Sequence, residues 1–337
     1  MASRTVNEGV VDWAEIRGEA LAGLTVSLIP PQVQLPALPH AVTLFVQRSG
    51  DETVPLQELA KILETDAGLT IQLLKYVNSS FWAVQKKVAN AVQALSLLGC
   101  HQSLRFVIAT GVEAAIRAHK SKLIKQNAFW STNLQKAIFA REIALLLKTD
   151  AEVAFVGSLL QDYVLPVLTN DLFYDYREFV QSEKPNALTL SEFEQTRFGW
   201  DHALVGACLA YDWNLPDELV CCIRYHHSGL QILSDPRLGH SPVAATALSA
   251  LLPDQLCTSN HGLELLMKLE PKWPAFNLQR LAESVDQQYV QMGLGIHNDF
   301  PLLPRCQSLG NDPSPCSVRT VEAAQESEST ARGSILL

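Results

Sequence analysis

The segment from Cys221 to His227 contains two cysteines and two histidines, and both side-chain types bind zinc in proteins. Cys222 and His226 are four residues apart and share a face if the segment is helical. The set Cys221, Cys222, His226 and His227 nevertheless lacks the paired C-x-x-C or H-x-x-x-H arms of a closed zinc site. The spacing therefore favours buried thiols and helix-end histidines, and the sequence predicts neither a metal nor another cofactor.

Asp162 and His202 are two further groups that ligand or acid–base chemistry would use. Asp162 lies in the apolar segment GSLLQDYVLPVL, and His202 follows Asp201 at a predicted helix start. A buried carboxylate needs hydrogen-bond partners whether or not it does chemistry. We therefore interpret Asp162 as a structural group that hydrogen-bonds His202 or a neighbouring helix end, with a relic ligand or a member of a polar network as the alternative. His202 is interpreted as a packed, hydrogen-bonded side chain. No residue is predicted to be catalytic.

Helical periodicity predicts the elements that position these residues, and convincing strand patterns are absent. Leu69, Leu73 and Val77 recur at the spacing of one helix face. In DWNLPDELVCCIRYHH, Pro216 suits the first turn of a helix that carries the paired histidines at its far end. Further helices are predicted near 55–64, 90–98, 101–119, 128–148, 151–168, 190–198, 200–212, 216–228, 241–252 and 275–292. The predicted fold class is all-α.

Composition excludes several classes of protein. The 337 residues are 47% apolar and 18% charged, as in an ordinary globular protein, with a net charge of -9. Nucleic-acid binders neutralise phosphates with clustered Lys and Arg, so no nucleic-acid partner is expected. The sequence shows no secretory signal and no long charge-free apolar stretch, which predicts a cytoplasmic protein without a membrane partner. Seven cysteines without dense, even spacing predict reduced thiols.

The segment from about residue 304 onward is rich in Ser, Pro, Gly and Glu and poor in large apolar residues. It is therefore predicted to be a disordered tail, spanning 304–337. Ordering such a tail costs conformational entropy that little apolar burial would offset. Deleting residues 305–337 is expected to leave thermal stability nearly unchanged.

Three sequence blocks, in this order, resemble the HDOD family, the HD-related output domains. The first comprises LPALPHAV and ELAKILETDAGLTIQLLKYVNSSFW, with an Asn-Ser turn at Asn78 and Ser79. The second is AVQALSLLGCHQSLRFV, where Leu98 and Gly99 separate two helices. The third, FGWDHALVGACLAYDWNLPDELVCCIRYHH, is the most specific. It contains His202, Gly206, Trp213, Leu215, Pro216, His226 and His227 in the order and spacing of the family.

The resemblance implies an HD-like helical domain at 31–230, with a small N-terminal helical subdomain inside it. An N-terminal extension at 1–30 and a C-terminal helical extension at 231–303 would flank it. It also implies that Asp162, His202, His226 and His227 lie together around a vestigial pocket, where a ligand could bind.

In active HD phosphohydrolases, a His, an adjacent His-Asp pair and a later Asp hold a divalent metal that activates water. In this sequence Gln161 replaces the histidine of the pair, and only Asp162 remains. Thr132 stands where the first His would lie, and no acidic residue occurs from Ser241 to Pro253. The resemblance therefore implies that the chain is not an enzyme.

The first hypothesis for function is a non-catalytic bacterial signal-transduction module. It would act through signalling proteins and could bind a nucleotide messenger in the cleft between its subdomains. The alternative is a residual metal-dependent phosphohydrolase that uses Asp162 and the three histidines His202, His226 and His227.

Overall fold

Helices form all the regular secondary structure in the part of the chain that the structure, a computed structural model, describes. The described residues are 11–22, 29–51, 53–79, 82, 84, 86–181, 189–256, 259–292 and 301–309. The α-helices are α1 (Trp13–Ala20), α2 (His40–Ser49), α3 (Leu56–Glu64), α4 (Ala67–Val77), α5 (Ala91–Arg117), α6 (Gln126–Leu147), α7 (Ala151–Leu160), α8 (Leu165–Asp171), α9 (Phe173–Val180), α10 (Leu190–Phe198), α11 (His202–Asp212), α12 (Asp217–Tyr225), α13 (Pro242–Ser249), α14 (His261–Met267), α15 (Leu278–Gln291) and α16 (Leu302–Ser308). A 3₁₀ segment, His226–Ser234, follows α12. The predicted all-α class is confirmed.

Two groups of helices pack around a shared apolar core. Helices α2 to α5 contact one another, and α5 joins them to α7 in the second group. That second group contains α6, α7, α11, α12 and α13. Outside it, α1 packs on α12, while α15 packs on α6 and α16 packs on α15.

The stretch from Ala151 to Asp171 is broken where a single helix, 151–168, was predicted. The chain turns at residues 161–164 and resumes as α8, with Pro166 in its first turn. A proline ring clashes with the carbonyl of the residue four positions earlier, which here is Asp162, and so ends a preceding helix. The break places Asp162 in a turn at the end of α7 rather than on a continuous helix.

The same stretch has the length and mean hydropathy, 1.3, of a membrane span. However, 78% of the window is buried inside the protein. Burial of this kind is expected of a core helix, so the stretch is weak support for a membrane span.

Gly99 marks the junction predicted between helices 90–98 and 101–119. Gly99 adopts the non-helical angles φ 76° and ψ 170°, so α5 consists of two helical segments joined by a kink at this residue. A positive φ of this size strains residues that carry a Cβ, whereas glycine adopts it freely. The Leu-Gly pair therefore separates two helices, as predicted.

The C-terminal boundary differs from the prediction. Residues 302–308 form α16, in which Leu302 and Cys306 are buried, so the prediction of a disordered tail is wrong for residues 304–308. Asp286 on α15 also accepts hydrogen bonds from the backbone N–H groups of Leu302 and Leu303, at 2.9 Å each. The polar composition of the segment concealed these contacts. Residues 310–337 lie outside the described residues. Helices α1, α9 and α14 were not predicted either.

Candidate functional site

Asp162 lies at the centre of a buried polar cluster, with 5% of its surface exposed. One carboxylate oxygen, Oδ2, accepts hydrogen bonds from Lys136 Nζ at 3.0 Å and Gln161 Nε2 at 3.1 Å. The other, Oδ1, lies 3.3 Å from the Nε2 atoms of His202 and His226. Burial would raise the pKa of Asp162, but the charge of Lys136 and the two histidines lower it well below its usual value. Asp162 is therefore ionised.

Lys136 supplies the main positive charge in this cluster. It lies on α6, only 2% exposed, among side chains that are all buried from Phe129 to Arg141. Its Nζ donates to Asp162 Oδ2 at 3.0 Å and to Asp254 Oδ2 at 2.9 Å. Burial would lower the pKa of Lys136, but the two carboxylates raise it above its usual value. A buried ammonium thus bridges two carboxylates from distant parts of the chain.

Asp254 corrects the expectation that no late acid reaches the pocket. It lies one residue beyond the segment 241–253 that was searched for a late acid, and it meets Asp162 through Lys136. A pocket beside the pair has about 260 Å³ of empty volume, part of it open to solvent, and Thr132 and Asn133 line its wall. Thr132, which stands where the first histidine of the metal site would be expected, therefore lies at this site.

His202 lies on the other side of Asp162, at the first residue of α11. Asp201 caps that helix by accepting from the backbone of Leu204 at 2.8 Å, which fixes the position of His202. Glu194, fully buried, accepts from the His202 backbone N–H at 2.8 Å and lies 2.6 Å from its Nδ1. Burial alone would lower the pKa of His202, but Glu194 and Asp162 raise it to about 10. His202 is therefore an imidazolium at neutral pH.

His226 and His227 complete the cluster. His226 Nδ1 lies 2.7 Å from the Ile223 carbonyl, to which it donates. Its buried Nε2 faces Asp162 Oδ1 at 3.3 Å, without the alignment of a well-formed hydrogen bond. His227 is exposed as a residue, but its ring Nε2 lies 2.9 Å from His202 Nε2. Burial of the ring and the neighbouring imidazoles lower the pKa of His227 well below its usual value. A neutral His227 can thus accept the Nε2 proton of the His202 imidazolium.

The structure therefore brings together all four residues singled out in the sequence, Asp162, His202, His226 and His227. Among the described residues, the three histidines also form a group whose nitrogens lie within 4.8 Å of one another, as a metal site requires. The donor set does not fit an HD-type metal at Asp162, however. Lys136 and Gln161 occupy one oxygen of its carboxylate, and a protonated His202 has no lone pair to offer.

Cys221 and Cys222 do not join this cluster. Both thiols are fully buried on α12, and burial raises the pKa of Cys221 to about 12 and that of Cys222 further. A Cβ on Gly157 would lie 2.5 Å from that of Cys222, so this thiol sits in a closely packed contact between α7 and α12. Inert, buried thiols of this kind agree with the preferred interpretation of the sequence.

Sequence reasoning did not identify Lys136, Glu194 or Asp254. A signal existed for Lys136, because it is flanked by an apolar run, AIFA, in a helix that was predicted. A lysine inside a buried helix requires carboxylate partners. Glu194 stands in a polar helix, SEFEQTRF, in which no feature of the sequence distinguishes it from the exposed Glu192.

Comparison with known proteins shows which family this chain resembles. The family model of the HDOD domain matches residues 35–229. An HDOD domain protein of unknown function from Geobacter sulfurreducens is 20% identical with a TM-score of 0.56, over 88% of this chain and 94% of that one. A Shewanella amazonensis SB2B protein, provisionally named a phosphohydrolase, is 19% identical with a TM-score of 0.56, over 85% and 95%. These likenesses confirm the HD-like fold.

A Treponema pallidum relative, an uncharacterized protein, is 25% identical over 202 residues. The match covers 58% of this chain but only 38% of that protein. The chain thus spans well under half the length of this relative.

Proposed function

The chain belongs to the HDOD domain family, and we propose that it is a non-catalytic regulatory module that acts through protein partners. The observation that carries this proposal is the ammonium of Lys136 between Asp162 and Asp254. A divalent metal at Asp162 would have to share a carboxylate with this cation, only 3.0 Å away. Two positive charges this close repel strongly in a buried site.

The charged groups around Asp162 alternate in sign without a metal, with three carboxylates around two cations. Lys136 lies on one side of the carboxylate, and the His202 imidazolium lies on the other. Glu194 and Asp254 supply the matching negative charges on the outer side of each cation. Buried charges persist when they are paired and hydrogen-bonded, and this chain of alternating charges meets that condition. The cluster therefore serves to hold α6, α10 and α11 together.

The protein partners, the small ligand and the cellular setting are proposed as well. A module without turnover transmits a signal only by binding, so the output passes through signalling proteins of the same cytoplasm. A nucleotide messenger is the proposed small ligand, and bacterial signal transduction is the proposed setting. The support is the family resemblance together with a small, largely apolar pocket beside the cluster, where the amide of Asn133 is buried with its Nδ2 lacking a hydrogen-bond partner.

One observation favours the alternative, a residual metal-dependent phosphohydrolase. The nitrogens of His202, His226 and His227 lie within 4.8 Å of one another, beside Asp162. Loss of the His202 proton would free a lone pair for a cation. The site would then resemble a three-histidine catalytic centre with Asp162 as a neighbour.

Turnover separates the two functions. Purified wild type and Asp162→Ala are assayed with cyclic dinucleotides, nucleoside phosphates and an aryl phosphate, with Mn, Mg and Zn supplied in turn. We expect no turnover above a metal-only blank for either protein. Turnover by wild type that is lost in Asp162→Ala would replace the regulatory function by the enzymatic one. Zinc binding without turnover leaves the regulatory function in place, because three histidines can capture zinc adventitiously.

A further inference from the structure

Helix α1 lies outside the residues that the family model matches and packs on α12. Two of its apolar residues are buried, Ile16 at 2% exposed and Ala20 at 7% exposed, one turn apart on the same side of the helix. Val11, Trp13 and Leu21, in the helix and beside its ends, are partly buried against the same core. One apolar face therefore anchors an eight-residue helix on the body of the protein.

Arg17 extends the contact on one side of α1. Its Nη1 donates to Asp217 Oδ1 at 2.7 Å, at the first residue of α12. The same guanidinium lies over the ring of Tyr211, 4.8 Å from the centroid, and Tyr211 is 47% exposed. An acidic group and an aromatic ring on the body thus recognise one basic side chain.

Two further contacts fix the other end of α1. Glu19 forms a two-pronged ion pair with Arg237, at 2.7 and 3.1 Å. Arg224 Nε lies 3.4 Å from the carbonyl of Ala20, which is one of the unsatisfied carbonyls at a helix C-terminus. The body therefore presents an acid, an aromatic ring and two arginines, each matched to a specific part of an amphipathic helix.

The contacts that hold α1 are individually weak. A helix this short is not stable in water by itself, so α1 is helical only while docked. The Arg17–Asp217 pair is about a quarter exposed and the Glu19–Arg237 pair about half exposed, and exposed pairs stabilise little. The apolar face therefore carries most of the docking free energy, and a peripheral helix of eight residues opens at a smaller cost than the core helices. A single charge on that face should be enough to release α1.

We propose that the α1-binding surface, formed by Tyr211, Asp217, Arg224 and Arg237, is the docking site for an amphipathic helix of a signalling partner. Helix α1 is its occupant within the chain and competes with that partner. The partner helix carries an apolar residue followed by a basic one, with an acidic residue two positions further and a small apolar residue after it. This inference rests on the proposed function as a module that acts through proteins.

The position of the surface connects it to the buried cluster. Helix α12 ends at Tyr225, directly before His226. A partner that replaces α1 therefore contacts the helix that leads into the cluster. Residues 217, 221 and 224 share one face of α12. Asp217 and Arg224 both contact α1. We therefore expect Cys221, which lies between them, to be covered by α1.

Competition sets the size of the expected effect. A tethered helix acts at an effective concentration of about 1 mM. If the docking affinity is about 0.1 mM, α1 occupies the surface about ten times more often than not. An added helix then binds the wild-type chain about tenfold more weakly than a chain whose α1 is released.

The test uses the full chain and a fluorescent synthetic peptide with the sequence of residues 11–22. Ile16→Glu releases α1, because it places a charge in the apolar anchor. We expect the peptide to bind this variant at least tenfold more tightly than wild type. Should Ile16→Glu fail to fold, Ala20→Glu, which places a charge at the other buried residue of the same face, serves in its place.

Reciprocal charge reversal tests the chemistry of the surface. A peptide with Arg17→Asp should lose affinity for the Ile16→Glu chain and regain it when that chain also carries Asp217→Arg. The proposal would be overturned if the peptide bound wild type and the released variant with equal affinity, or bound neither. It would also be overturned if the charge swap failed to restore binding.

The alkylation rate of Cys221, measured by peptide mapping, provides a second readout. It should rise at least tenfold in the Ile16→Glu chain, and an unchanged rate would overturn the proposal. The phosphatase assays above are independent of both readouts. If the protein turns over a substrate and the peptide also binds, the regulatory function is rejected and the docking surface stands. If there is no turnover and the peptide does not bind, the docking surface is rejected and the regulatory function stands.

Discussion

Substituting Lys136 by Met removes the cation that holds two carboxylates in the buried cluster. Methionine keeps a long, unbranched side chain, so the change mainly deletes charge and leaves no large cavity. Asp162 then keeps its ionised form only with the help of His202 and His226. Asp254 is less affected, because its side chain is 28% exposed and water can solvate it.

The expected loss follows from the burial of the pair. Removing one partner of a buried ion pair costs about 3–5 kcal/mol, because an uncompensated charge remains. Lys136 and Asp162 both meet this condition, with side chains 2% and 7% exposed. We expect Lys136→Met to lower the free energy of unfolding by about 4 kcal/mol at neutral pH.

The loss should depend on pH, and its sign follows from the pKa of Asp162. In wild type this pKa lies well below its usual value, so the carboxylate stabilises the fold above its unfolded pKa and loses that contribution as pH falls. Without Lys136 the folded pKa rises, and protonation relieves the buried charge. The difference in stability between wild type and variant should therefore shrink as the solution is acidified.

Urea unfolding, followed by far-UV circular dichroism and tryptophan fluorescence, measures both effects. Lys75→Met is the matched control, since Lys75 is exposed on α4 and should change stability by less than about 0.5 kcal/mol. Lys136→Met combined with Asp162→Asn should recover part of the loss, because the two sites are coupled. A loss below about 1 kcal/mol, or one independent of pH, would refute the paired-charge account.

Three further predictions concern His202, one close helix contact and the C-terminus. The pKa of His202 is raised to about 10, so its stabilising contribution is complete below the unfolded pKa and is lost as pH rises towards 10. His202→Gln should therefore flatten the decline of thermal stability on the alkaline side. Gly111→Ala should destabilise by about 1–3 kcal/mol in urea unfolding, because its Cβ would lie 2.4 Å from Val42, and adding Val42→Ala should recover part of that; additive losses would contradict this. Deleting 310–337 should leave the melting temperature unchanged, whereas deleting 302–337 should lower it by several degrees, and equal melting temperatures would show that α16 stabilises nothing.

Local patterns of the sequence predicted most of the fold. Apolar periodicity located the helices of the core, and the family resemblance implied how they pack. The break before Pro166 was missed, although a proline four residues after Asp162 predicts it. Short helices such as α16 were missed because a few contacts hold them, here two buried residues and two hydrogen bonds to Asp286, which a composition-based judgement does not detect.

The candidate site was predicted only in part. The four residues named from the sequence do lie together, because the family order of His202, His226 and His227 carries that information. The pairing of Lys136 with Asp254 joins residues 118 positions apart. No local pattern encodes such a contact, because it depends on how α6 and the segment after α13 pack. The family resemblance therefore implied that ligands of a metal site are missing, and the structure added the buried cation between Asp162 and Asp254.

Manganese binding at Asp162 is the measurement that tests the central claim most directly. Mn²⁺ is titrated into wild type, Lys136→Met and Lys136→Met combined with Asp162→Asn, with thermal unfolding and paramagnetic relaxation as readouts. If Lys136 takes the place of a catalytic metal, wild type should show no binding that depends on Asp162. Lys136→Met should then gain Mn²⁺-dependent stabilisation that the second substitution abolishes. Tight binding of Mn²⁺ to wild type that is lost in Asp162→Asn would contradict the account.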